Sequence, residues 1–218
     1  MAKPLKKAYI RDAEATREAL LVAGSEQFGA HGFDGVSVEA IAARAGVNKA
    51  MINYHFGGKR GLYRSILTST FDEVGQAVRE LAASGRRAPA VIAGFLDLIA
   101  EIGSTRRPAF PALFLREALS ADRLDREVLP RVGVIVGTLM EVVARGVQEG
   151  SLRPVDPFCA YFIFMAPMSL FISTEPLRRR AHEEGLLPFA PPSAQTFANQ
   201  LKDTVLRGMC TDYDKEKV

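Results

Sequence analysis

Apolar residues in this chain recur at spacings of three and four, and nowhere do they alternate over the length of a strand. Leu20, Gly24 and Phe28 form one such set near the N-terminus, and Phe197, Leu201 and Val205 another near the C-terminus. That period puts apolar side chains on one stripe of a helix, whereas a half-buried strand needs period two. The expected fold is all-α, with helices near residues 11–30, 38–45, 49–55, 59–84, 89–104, 109–120, 125–149, 156–173 and 193–209. Gly32 suits a left-handed helix end, Gly85 and Pro89 separate the fourth and fifth helices, and Gly150, Pro154 and Pro157 separate the seventh and eighth. Segment 174–192 carries Arg178, Arg179 and Arg180, then Glu183 and Glu184. It reads as a solvated connection with room for one helical turn rather than as a second anion site.

With 218 residues, 48% of them hydrophobic, the chain can bury one large core or two small ones. Cys159 and Cys210 lie far apart with no CxxC or Cys/His spacing, so buried, reduced thiols are expected and no metal site. The basic start MAKPLKKAYI runs into polar residues where a signal peptide needs an apolar core. The longest apolar run, 158–172, contains Pro167 and Ser169 and is shorter than the roughly 18 to 20 residues that span a bilayer. A cytoplasmic protein with no membrane partner is expected. P-loop, GxGxxG, GxSxG and HExxH patterns are all missing, as is a plausible carboxylate pair, so neither an enzyme nor a cofactor is expected.

Charge is distributed unevenly. Residues 1–64 hold ten Lys and Arg against six Asp and Glu, while the rest holds 18 against 19. A polyanion would therefore bind near the N-terminus, where Lys3, Lys6, Lys7 and Arg11 form a basic arm that either follows DNA or hangs loose.

Residues 38–56, VEAIAARAGVNKAMINYHF, fit two helices meeting at a turn. Val38, Ile41, Ala42 and Ala45 make an inner face, Gly46 takes a backbone conformation that a Cβ hinders, and Val47 plugs the corner. Asn48 caps the second helix, in which Ile52 and Phe56 point inward. Its other face holds Lys49, Ala50, Met51, Asn53, Tyr54 and His55. Such a face enters a major groove: Lys49 donates to guanine or to phosphate, Asn53 pairs with adenine, Ala50 and Met51 touch a thymine methyl, and Tyr54 reaches phosphate or base. Lys59, opening the next helix, is placed to hold a phosphate. His55 either packs at the helix end or meets phosphate, and Ser37 caps the first helix with or without a phosphate contact.

This stretch resembles the tetracycline-repressor (TetR) family of bacterial transcriptional regulators. The resemblance rests on Leu20 to Phe28, Gly32-Phe33, Ser37-Val38 with Ile41-Ala42, Ala45-Gly46-Val47, and Tyr54-His55-Phe56 with Lys59 and Leu62-Tyr63. It implies a DNA-binding helix-turn-helix domain of three helices at 1–64, a helical effector-binding and dimerisation domain at 65–210, and a homodimer formed by the last two helices. Residues 211–218 read as a disordered tail. The implied partners are a palindromic operator of double-stranded DNA and a small apolar or amphipathic effector. Asn53 stands where the family often has Tyr, and Met51 where it often has Thr or Leu. Gly57-Gly58 replaces the usual Pro or polar cap, which gives the next helix a freer start.

In the C-terminal part, Phe95 and Ile99, Phe110 and Phe114, and Phe162 and Met165 fall at helical spacings on three helices. Each pair is either plain core or part of an apolar pocket, with Arg116, Glu117 and Tyr161 as candidate polar groups. A DNA-binding protein without an effector would have this core filled.

Overall fold

The computed structural model describes residues 4–106, 110–119 and 126–212. Among them there is no strand, only an isolated bridge between Leu152 and Cys210. The chain divides into two units, 1–70 and 71–218, with the division inside one helix.

The first unit contains α1 (Pro4–His31), α2 (Val38–Ala45), α3 (Ala50–Phe56) and the beginning of α4 (Lys59–Ala82). Helix α1 starts seven residues earlier than its apolar pattern indicates, so Lys6 and Lys7 belong to a helix and not to an arm. Leu20, Phe28, Ile41, Ile52 and Leu62 are wholly buried, each worth about 1.5 to 3 kcal/mol of transfer free energy. Gly24 brings α1 close to α4: a Cβ there would stand 2.9 Å from Ile66 Cδ1. Around this contact the rings of Phe28, Phe33 and Tyr63 pack edge to face or stacked, with centroids 5.0 to 5.9 Å apart.

The second unit holds the rest of α4, then α5 (Ala88–Glu101), a π-helical turn (Ile102–Arg106), α6 (Phe110–Ala118), α7 (Leu129–Gln148), α8 (Pro157–Ser173), α9 (Glu175–Glu183) and α10 (Ala194–Met209). Helix α5, apolar on most sides, packs against α7, α8 and α10. Asp97 of α5 also accepts from Lys202 Nζ at 2.7 Å and from Gln195 Nε2 at 2.6 Å on α10. At Gly146 a Cβ would meet Ala88 Cβ at 2.5 Å, so this residue sets how closely α7 approaches α5.

Helix α9 is where the sequence reading placed a solvated connection. It is solvated, since none of its residues is buried. It is nonetheless helical, because Arg179 reaches Glu175 (3.3 Å) and Glu183 (3.8 Å), and Arg180 reaches Glu184 (2.6 Å), all four residues apart. Of the tail expected to be disordered, Thr211 donates to the Gly150 carbonyl at 2.7 Å; residues 213–218 lie outside the described ones.

Candidate DNA interface and helical-domain cavity

The helix-turn-helix is built by its caps. Ser37 lies in the extended region (φ −93, ψ 156) and its Oγ accepts from Ala40 N at 3.1 Å, which starts α2. Gly46 ends α2 in the left-handed region at φ 68, and Val47 N returns to the Ala42 carbonyl at 3.0 Å. Asn48 Oδ1 then accepts from Ala50 N at 2.8 Å, opening α3.

With Ile52 buried at 0% exposure, the opposite side of α3 presents Ala50, Asn53 and Tyr54 to solvent, Tyr54 being 67% exposed. Met51 and His55 are half-buried beside them. His55 lies between two rings, 4.9 Å from Tyr54 and 6.1 Å from Phe56, an arrangement that favours packing over a free imidazole. Two cations of this face already have partners. Lys49 Nζ is 2.9 Å from Glu39 Oε1, and its hydrogen bond holds the Glu39 carboxyl below the usual carboxylate range. Lys59 Nζ lies 4.6 Å from the centroid of Phe33, over the ring. Glu39 escaped the sequence reading because it is ten positions from Lys49, and only the turn brings them together.

At the junction after α3, where the paired glycines lead to the expectation of a freer start, the backbone approaches closely. Gly57 (φ 70) and Gly58 (φ 117) occupy backbone conformations that side chains disfavour, and Gly57 N donates to Asn53 O at 2.9 Å. A Cβ on Gly61 would sit 1.7 Å from the Phe56 carbonyl oxygen, so α4 starts pressed against the end of α3.

In the second unit a cavity of about 40 Å³, measured as room for the centres of water molecules, opens among five helices and the π-helical turn. Helix α5 contributes Phe95 and Ile99, and α6 contributes Phe110, Pro111 and Phe114. From α8 come Tyr161, Met165 and Ser169. Six of the candidates from sequence therefore meet in one place. Phe162 does not: it is 51% exposed, its ring 5.0 Å from that of Phe158. Helix α8 is apolar all round, so sequence spacing alone leaves its inward face undetermined; residues 161, 165 and 169 share the wall, and 162 points away. The side chains of Arg116 and Glu117 lie outside the described residues. Sequence reasoning missed Phe71 and Val74 on α4, Ile102, and Val132 and Ile135 on α7. Their three-residue spacings are those of any core stripe.

Burial pushes the Tyr161 phenol up to about 12, so it stays neutral. Cys159, expected to be buried, is exposed on α8; Asp156, which accepts the backbone N–H of Cys159 at 2.8 Å, raises its thiol pKa and disfavours the reactive thiolate. Among the described residues no group of three or more His, Cys, Asp or Glu is placed to hold a metal, and no single helix is long and apolar enough to cross a membrane.

A capped helix-turn-helix with an exposed polar face, in a chain that is otherwise helical, defines a DNA-binding transcription regulator. Residues 20–66 match the model of the bacterial regulatory proteins of the tetR family, and this match with the relatives that follow supports a TetR-family transcriptional regulator. It is 28% identical over 198 residues to the transcriptional regulator RutR of Escherichia coli K12, covering 90% of each chain. The transcriptional repressor NicS of Pseudomonas putida is 27% identical over 165 residues, 73% of this chain and 76% of its own. The fold matches that of the regulator FadR from Bacillus subtilis, solved with stearoyl-CoA, at a TM-score of 0.67 and 14% identity, over 88% of this chain and 98% of that one. The relatives are regulators, which points away from an enzyme.

Proposed function

We propose that this protein is a homodimeric repressor that holds a palindromic operator through α3 and leaves it when a small molecule fills the cavity. DNA binding is assigned to residues 1–64, through Ser37, Asn48, Lys49, Ala50, Met51, Asn53, Tyr54, His55 and Lys59. Effector binding and dimerisation are assigned to 65–210. The observation that carries the reading is that one helix serves both ends: α4 begins at Lys59, directly after α3, and its residues Phe71 and Val74 form part of the cavity wall. A ligand that displaces this wall acts on the helix from which Lys59 projects. NicS, a relative, is named a repressor, and FadR, a fold neighbour, was solved with a small molecule.

The dimer reading is supported by α8. Phe158, Phe162, Ile163 and Leu170 are each more than half exposed on a helix with no charged residue. Together with α10 this face offers what a two-fold interface requires, namely one apolar patch complementary to itself. Such a regulator works where the chromosome is, in the cytoplasm.

The test is reciprocal. An operator is selected from random duplex DNA, a ligand from a small-molecule panel by thermal shift, and each affinity is measured with and without the other. Coupling of a typical size, about 1 to 3 kcal/mol, weakens both by the same factor of about 5 to 150. Operator affinity that is equal with the cavity empty and saturated contradicts effector release.

A further inference from the structure

Taking the cavity as the effector site, as proposed above, we infer that its ligand is a compact, uncharged, ring-bearing molecule carrying one hydroxyl or carbonyl. The wall is aromatic: Phe71, Phe95, Phe110, Phe114 and Tyr161 all face the space. Phe71 meets Phe110 and Phe114 edge to face at 5.0 and 5.1 Å, leaving ring faces and edges arranged for another ring. Among the described residues no charged side chain lines the cavity, so a carboxylate or ammonium would lose its water without gaining a counter-charge from them.

Two polar groups break the apolar surface, the hydroxyls of Tyr161 and Ser169. Neither makes a hydrogen bond among the described residues. They stand on α8 eight positions apart, two turns along one face. Each can donate to a carbonyl or accept from a hydroxyl, and the Tyr161 phenol keeps its proton across the whole ordinary pH range. Size narrows the class further. About 40 Å³ of centre volume holds roughly three waters at about 10 to 15 Å³ each. A single ring enters by rearrangement of the phenylalanines with a small displacement of the α4 wall, whereas a long acyl chain would have to part the helices much further.

Four probes separate the alternatives in calorimetric titrations of the full chain at pH 7.5: 4-ethylphenol, ethylbenzene, 4-ethylbenzoate and decanoate. The expected result is that 4-ethylphenol binds about five- to tenfold more tightly than ethylbenzene, the margin of one hydrogen bond, and the two anions do not bind. Tyr161→Phe or Ser169→Ala removes that margin while leaving ethylbenzene unchanged. Tighter binding of 4-ethylbenzoate or decanoate, a margin that survives both variants, or no binding by any probe overturns the inference. The two readings fail separately. If 4-ethylphenol binds as described and operator affinity stays constant, effector release fails and the ligand class stands. If decanoate binds and releases operator, the ligand class fails and effector release stands.

Discussion

Arg131 Nε lies 2.8 Å from Asp72 Oδ1, tying α7 to α4, and each partner is the immediate chain neighbour of a residue that lines the cavity, Val132 and Phe71. Anything that enlarges the cavity by parting these helices works against this pair. Because Asp72 is mostly exposed, the pair adds no more than about 1 kcal/mol to stability. Asp72→Asn should therefore change the urea unfolding midpoint little while lowering the concentration of ligand needed for operator release. A variant that melts like the parent and responds at the same ligand concentration would show that the pair has no part in the response.

The junction of α3 and α4 predicts an ordering of two glycine variants. Gly57→Ala places a side chain at φ 70 with no atom within 4 Å to obstruct it, a cost of about 1 to 2 kcal/mol. Gly61→Ala drives a Cβ into the Phe56 carbonyl, where backbone must move, and costs about 3 kcal/mol or more. Urea denaturation followed by circular dichroism gives both values. The opposite order would mean that the helix start is pliable and that the close approach at Gly61 is without consequence.

Much of the DNA-binding unit was legible because its signals are local. Ser37, Gly46 and Asn48 each act on backbone groups within four residues, so the limits of α2 could be read to the residue. Helix α9 was harder to see, since its evidence is a set of charge pairs that a solvated loop might equally contain. The cavity was partly legible: aromatic spacing marked faces on α5 and α6, but on α8 a helix without a polar side gives no phase, and Phe162 was assigned inward. Phe71 and Val74 were unreadable as cavity residues because a wall and a filled core have the same periodicity. The pair of Lys49 with Glu39 depends on the fold of the turn.

That pair leads to a further prediction. Glu39 occupies Lys49 in the free protein and adds a negative charge close to the proposed phosphate contacts. Glu39→Gln should tighten binding to all DNA sequences several-fold and steepen the salt dependence, by freeing a cation and removing a repulsion. Fluorescence anisotropy at several salt concentrations measures both; weaker binding would mean that the carboxylate positions Lys49 for DNA.

The outward position of Phe162 places it on the proposed dimer face. Phe162→Glu puts like charges against each other across a two-fold axis, and should yield a monomer that retains its helical circular dichroism but has lost tight operator binding. Sedimentation at micromolar concentration is the measurement. A dimer that persists would move the interface off this side of α8.

The central claim is that α3 reads bases while Lys59 anchors the backbone, and one titration addresses it most directly: wild type, Asn53→Ala and Lys59→Ala binding a selected operator and a scrambled duplex over a range of salt. Asn53→Ala should cost about 1 to 3 kcal/mol on the operator and almost nothing on the scrambled duplex. Lys59→Ala should weaken both equally and reduce the salt slope by about 1 per protomer. If Asn53→Ala weakens both duplexes alike, or leaves the preference for the operator intact, α3 is not the reading helix and the account is wrong.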